Sequence, residues 1–371
     1  MTVRFRRGGH DSFWGDCVYD VVVPQRHFLR QLAALLDWEG LTADLIDYYK
    51  GGGEYGPPPY HPATLFKMLL IAYLYNLSER EVETYVADSL AARYFLGLAA
   101  NEPAPDHSSL SVFRERILSK AGPEAFAVLF GKVVGEARAK GIVFGRIQVV
   151  DATHSLADVD VRQDDKRGKD GKPPRDGDAS WGTKGRKKVK TASGETVEVK
   201  KTFYGYKAHV SVNAANGLVT AVVVTSGRQT DGQQFARLLA GDEAVGIEAE
   251  IYTGDKAYDD GANHCLLWSL GKQSALVLNK YRTAKKDGNK EPWLRLLATD
   301  GYSEGKRERY KVEQKFGEGK RHHGWGRCRY LGLAGYAVQS VLTALVLNLK
   351  RMTLLLTGVR LQGPSRRSVP A

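Results

Sequence analysis

The chain has 371 residues, 43% of them hydrophobic, which is enough for a sizeable core and for two or three domains. Its formal net charge of +12 points to a polyanionic partner, nucleic acid first. The three cysteines, Cys17, Cys265 and Cys328, are scattered and odd in number, which argues against a disulfide scaffold or a zinc site and fits a reducing compartment.

The N-terminal stretch "MTVRFRRGGHDSFWGD" has no apolar run of signal-peptide type, so a cytoplasmic, nucleoid-associated protein is expected. Residues 1–143 read as a helical N-terminal domain. Phe28, Leu29, Leu32, Leu35 and Leu36 recur at helical spacing. "GGGEYGPPPY" (51–60) is a breaker-rich linker, and Pro62 opens the next helix. Ser78 and Glu81 form a capping-box pattern. Ser108 or Ser109 is the expected cap of a further helix carrying Arg114 and Arg116 near its front. These short helices suit either a helix-turn-helix or a plain bundle.

After Gly145 the pattern changes to a mixed α/β domain, 144–360. "RIQVVDATHS" (146–155) holds a short β-rich run ending in Asp151. Residues 162–201 hold 13 Lys or Arg against 7 Asp or Glu, with many Gly and Pro, and read as a basic insertion or mobile loop. "YGYKAHVSVN" and "LVTAVVVTSG" are strands joined by the hairpin signal "AANG". Asp231 reads as a helix cap. "AEIYTGDKAYDD" is a strand ending at Asp255. A second basic insertion is expected at about 281–307, followed by a helix within "RYKVEQKFGEGKRHHGWGRCRY" (309–330). "LGLAGYAVQSVLTALVLNL" (331–349) is long enough to span a bilayer, but its polar interruptions and basic flanks favour a buried core helix. The tail 361–371 reads as disordered.

Asp151 and Asp255 fall at strand ends, where α/β sheets open into a crevice. At about 100° per residue, Arg309, Glu313, Phe316 and Lys320 share one helix face. Phe316 can seat that face on the sheet, with Arg309 and Lys320 placed to grip phosphates. Three converging carboxylates repel one another unless a divalent cation neutralises them. Hard oxygen donors favour Mg²⁺ or Mn²⁺. Two such ions would support in-line phosphoryl transfer. The competing roles are ordinary: Asp at a strand end often serves a turn, and Glu313 can pair with Arg309 at i, i+4. Asp259 and Asp260 are rival acids whose position suits helix capping.

"VVDATH", "YGYKAHVSVNAANGLVTAVVVTSGRQTDGQQF", "TGDKAYDD" and R-x3-E-x6-K with "FGEGKRHHGWGRCRYLGL" resemble the DDE transposases of bacterial insertion sequences, in the group named for insertion sequences four and five. "HPATLFKMLLIAYLYNLSEREVETYVADSLAARYFLGL" resembles that group's N-terminal domain. The resemblance implies an RNase-H-like core with Asp151, Asp255 and Glu313 as a metal-binding triad, holding two Mg²⁺ (or Mn²⁺) ions. It matches Arg309 and Lys320 to the Arg and Lys of a Tyr-Arg-Glu-Lys signature. Lys306 stands where the Tyr belongs, so no tyrosine contact is carried over. Lys207, His209, Lys256 and Arg321 are further candidate DNA contacts. The partners implied are double-stranded DNA, as transposon ends and target, and a second subunit in a synaptic complex, with no membrane. The N-terminal helices would recognise ends or hold subunits together. The alternatives are an RNase-H-like nuclease without strand transfer and an inactive DNA-binding copy.

Overall fold

The structure, a computed structural model, describes residues 5–6, 13–49, 58–190, 195–279 and 291–361. It divides into two compact units, residues 1–142 with 345–371, and residues 143–344. The C-terminal part of the expected second domain groups instead with the first unit.

The first unit is helical. Pro62–Leu74 (α4 in chain order, after Phe13–Val22, Phe28–Leu35 and Trp38–Leu41) is apolar on every side, and most of its residues are buried. A helix with that composition belongs at the centre of a bundle. The expected capping box is present before Glu79–Asp88 (α5): Ser78 Oγ accepts from Glu81 N at 3.2 Å, and Glu81 Oε2 accepts from Ser78 N at 2.8 Å. Leu90–Leu96 (α6) follows, ending at Gly97 in the left-handed conformation.

His107–Ala121 (α7) is capped by Asp106, which accepts from Ser109 N at 2.6 Å, and not by either serine. Arg114 is turned inward, its side chain 11% exposed and paired with Glu79. A buried, paired arginine is not presented to DNA. Glu124–Ala139 (α8) completes the run.

The second unit is a mixed α/β domain built on one six-stranded sheet. Its strands are Ile147–Leu156 (β1), Ser180–Lys190 (β2), Thr196–Asn213 (β3), Val219–Ser226 (β4), Ile251–Gly254 (β5) and Gln273–Leu276 (β6). β3 pairs antiparallel with β2 along its first half, and with β1 and β4 along its second. β1 pairs parallel with β5, and β5 with β6. The expected hairpin joins β3 to β4, with Gly217 at φ 73°. The second half of β3 is buried almost throughout, because helices cover both faces of the sheet.

On one face lies Phe235–Ala244 (α10, after Val161–Lys169, α9). Its Asp242 is wholly buried and accepts from Ser211 Oγ at 2.6 Å and from Thr220 Oγ1. Burial pushes this carboxyl up to about 6, against the pull of those hydroxyls.

Gly261–Ser269 (α11) is followed, beyond the undescribed residues, by Glu291–Leu297 (α12), Asp300–Glu308 (α13), Tyr310–His322 (α14) and Gly332–Thr357 (α15). α15 is apolar enough to cross a membrane by length and composition, but 78% of its most apolar window is buried within the protein, as the core-helix reading expects.

Both expected insertions need correction. Residues 162–201 are not loop throughout: they carry α9, β2 and the start of β3, whose paired strands expose both faces and so read as uniformly polar. The loop expected at 281–307 falls partly outside the described residues, and its remainder is helical. α13 packs on β5 and β6 through Gly301 and Gly305. A Cβ on Gly305 would meet Ala275 Cβ at 2.5 Å, so these glycines permit close approach and are not breakers. The expected linker 51–60 and disordered tail 361–371 lie almost wholly outside the described residues. Cys17, Cys265 and Cys328 are free thiols.

Candidate active site

Asp151 and Asp255 reach the same place by different routes. Asp151 was expected at a strand end, but β1 stays paired with β3 and runs on to Leu156. In the parallel pairing of β1 with β5 the ladder ends with Val150 opposite Gly254, and Asp151 and Asp255 each follow directly. Adjacent strands lie about 4.8 Å apart, which fixes them as neighbours. Asp151 Oδ1 accepts from Ala152 N at 2.8 Å, and Asp255 Oδ1 accepts from Ala257 N at 2.8 Å.

Burial holds the Asp151 carboxyl up, at about 7, and the charge of Asp255 raises it further, while the Ala152 N–H and Arg309 pull the other way. Asp255 is also raised, first by burial and then by Asp231, against the Ala257 N–H, Arg309 and Lys207. Two carboxylates crowded in this way, with oxygen donors and no thiol or imidazole ligand among them, fit a divalent cation.

The helices α13 and α14 meet at Arg309, whose guanidinium charge bears on both aspartates. α14 packs on β1 and β3 with Val312, Phe316 and Gly319 buried. Phe316 meets Trp325 edge-on, with ring centroids 5.9 Å apart. Behind them Ser155 Oγ donates to Trp325 O and contacts Tyr336 Oη at 2.9 Å, tying β1 to the segment after α14 and to α15. Phe316 therefore seats the helix as expected.

Glu313 is exposed on the first turn of α14. The charges that bear on the aspartates are their own and those of Asp231, Arg309 and Lys207. Among the described residues, no three His, Cys, Asp or Glu side chains come together as a group able to hold a metal ion. The structure thus brings together two of the three expected acids.

The expected DNA contacts separate in the same way. Lys320 is half-buried, and burial, then the charge of Lys184, lowers its ammonium to about 8. His154 is lowered to about 4 by burial and by Lys320, Lys184, Lys201 and Lys207. The charges of four lysines thus bear on one imidazole, a concentration of positive charge suited to phosphate. Arg321 and Lys256 are exposed.

Lys207 is engaged with Asp231 at 2.8 Å. His209 is a correction: its side chain is wholly buried, with Nε2 at 2.9 Å from Thr225 Oγ1, because β3 is paired on both edges and covered. It is not available to a phosphate.

Three contributors escaped sequence reasoning. Lys184 and Lys201 come from the β2–β3 ribbon that read as an insertion; the alternation in "TVEVKK" was the signal available. Asp231 read as a cap, but its side chain makes no cap hydrogen bond. Asp231, Lys207, Lys256, Arg228 and Trp181 line a cavity of about 1020 Å³.

The family model described as "Transposase domain" of unknown function 772 matches residues 18–116, and that described as "Transposase DDE domain" matches residues 144–349. The chain is similar to a piggyBac transposase in a synaptic complex with hairpin DNA, at 8% identity over 90% of this chain and 78% of that one, with a TM-score of 0.36. It is also similar to the Mos1 transposase in a paired-end complex with the left transposon end, at 11% identity over 73% of this chain and 83% of that one, with a TM-score of 0.20.

Proposed function

Because the chain belongs to the DDE transposase family, matched over more than half its length, and is a DNA transposase with an RNase-H-like core, we propose how its residues carry out transposition. It binds the terminal inverted repeats of its element, cleaves the ends and joins the freed 3′-hydroxyl to target DNA. The finer placement in the group named for insertion sequences four and five is supported by R-x3-E-x6-K at Arg309, Glu313 and Lys320 with "TGDKAYDD". The observation that carries the mechanism is the parallel register of β1 with β5, in which Val150 stands opposite Gly254 and Asp151 and Asp255 each follow directly.

The family uses divalent metal ions, and Asp151 and Asp255, with Glu313 as the third acid, would hold two Mg²⁺ or Mn²⁺ ions here. When bound, such ions supply an activated water or 3′-hydroxyl and a charge that stabilises the leaving oxygen. Arg309, whose charge bears on both aspartates, would neutralise a phosphate brought to them. Lys320, Lys184 and Lys201 grip the flanking backbone and set its register without reading sequence. The helical N-terminal domain recognises ends or holds two subunits in a synaptic complex, so that both ends are handled together on the nucleoid.

Incubation with DNA carrying the inverted repeats that flank its gene, plus Mg²⁺ or Mn²⁺, is expected to give cleaved ends and joined products. Chelation should abolish both. Cleavage of ends without joining of a pre-cut end would make the protein a nuclease of this fold. Lys320→Ala is expected to weaken end binding and to reduce the slope of log affinity against log salt by about 1. An unchanged slope would remove Lys320 from the DNA interface.

A further inference from the structure

The central helix of the first unit, α4, carries a single charged residue, Lys67, among its apolar side chains. The Lys67 ammonium lies 5.8 Å from the centre of the Trp38 ring and 5.7 Å from that of Phe95. Among the described residues it makes no hydrogen bond and no ion pair. Burial lowers it to about 8, against the charge of Glu39. Rings at that range are near the limit of cation–π attraction and replace only part of the lost hydration. A Met would fill the same place in the helix without that cost.

Lys67 lines a cavity of about 730 Å³, whose wall also holds Arg6, Glu39, His61, Thr64 and Tyr94. Arg6 is fixed beside it: its backbone N–H donates to Pro59 O at 2.9 Å and its Nε to Pro58 O at 3.0 Å. The guanidinium lies 4.3 Å over the Tyr60 ring, and its two terminal nitrogens remain as donors. His61 Nδ1 accepts from Ala63 N at 3.2 Å, which places the ring proton on Nε2. Burial lowers His61, so the imidazole is neutral. The one acid on the wall, Glu39, is exposed and forms no ion pair with either cation.

Two cations against one acid leave a donor-rich pocket of the size that takes a small ligand. An ammonium, a guanidinium fork and an imidazole N–H outnumber the two oxygens of a carboxylate and match the three of a phosphoryl group. We propose that this cavity is a phosphoryl-binding site, in which Lys67 and Arg6 hold the charge and His61 Nε2 donates to a further oxygen. The group belongs either to DNA or to a free phosphate compound, and the experiment separates the two. The site lies wholly in the helical unit and owes nothing to the reading of Asp151 and Asp255 as cation ligands.

The test is amine labelling of the full chain with acetic anhydride, read at Lys67 by mass spectrometry. Divalent ions are left out. Sodium pyrophosphate, or a duplex carrying the inverted repeats, is added and compared with sodium chloride of equal ionic strength. At saturation one of them is expected to slow labelling of Lys67 by about fivefold or more. Protection by the duplex alone assigns the site to DNA, and protection by pyrophosphate assigns it to a free compound. Lys67→Met should bind the protecting probe about tenfold more weakly, by calorimetry for pyrophosphate or gel shift for the duplex. The same variant should melt at or above the parent temperature, because a partnerless charge has left an apolar helix.

Protection by neither probe, or protection matched by sodium chloride, would overturn the proposal. So would unchanged affinity in Lys67→Met. Lower melting of that variant would overturn it too, as the mark of an ammonium that serves the fold and not a ligand.

Discussion

Asparagine in place of Asp151 or Asp255 is expected to lower end cleavage by about 10³-fold or more while leaving end binding close to normal. The amide is nearly isosteric, and its oxygen can still accept from the Ala152 or Ala257 N–H, so local backbone geometry is kept. What it loses is the charge. A neutral side chain binds a divalent ion poorly and cannot balance Arg309, whose field reaches both aspartates. In the mechanism proposed above, DNA binding draws on separate groups, chiefly Lys320, Lys184 and Lys201, whose charges bear on His154. Single-turnover cleavage and gel-shift measurements on the same preparations separate the two effects.

Glu313→Gln belongs in the same series, because Glu313 is exposed and no third acid completes a metal-holding group among the described residues. A loss as deep as that of Asp151→Asn is expected, with Glu313 drawn in when DNA and cations are present. Near-normal cleavage would remove Glu313 from the site.

Gly205→Ala is expected to unfold or severely loosen the second unit. Gly205 lies where three strands meet: it pairs with Leu156 of β1 and Ser180 of β2, and its carbonyl accepts from Gly227 N at 2.9 Å. Its φ is 153°, and a Cβ there would stand 2.1 Å from Ser155 O and 2.7 Å from Ala157 N. Both are backbone atoms in or next to β1, so relief requires breaking the ladder that positions Asp151. A cost of about 3 kcal/mol or more follows, a fall in melting temperature of roughly 10 °C for a unit of this size. Gly261→Ala, where a Cβ meets nothing within 4 Å, is the control and should melt with the parent protein. Parent-like melting of Gly205→Ala would contradict the strand register given above.

Local signals were the legible ones. The Ser78–Glu81 box, the hairpin over "AANG" and the helix holding Glu313 are written in neighbouring residues, and the structure contains each. Asp255, just past the end of β5, was legible as well, whereas Asp151, expected at a strand end, lies in the middle of β1, which runs on to Leu156. What stayed hidden depends on partners distant in sequence. Arg114 resembles an exposed recognition residue until Glu79 captures it. His209 resembles a strand-edge contact until both edges of β3 are paired. Asp231 has the spacing of a cap, and only the arrival of Lys207 turns it away. The polar stretch 162–201 hid two strands because, with both faces wet, its apolar alternation is confined to the short run "TVEVKK" amid charged and glycine residues.

The final helix has a consequence for how the protein is made. One compact unit runs to residue 344 and the other needs residues from 345 onward to join its N-terminal part. Neither can therefore close while the ribosome is still partway along the message. β1 must likewise wait for β5 before its aspartate gains a neighbour. Completing the first unit during translation is thus expected to wait until the last helix has been made. Premature stop codons upstream of that last helix would remove residues on which both units draw.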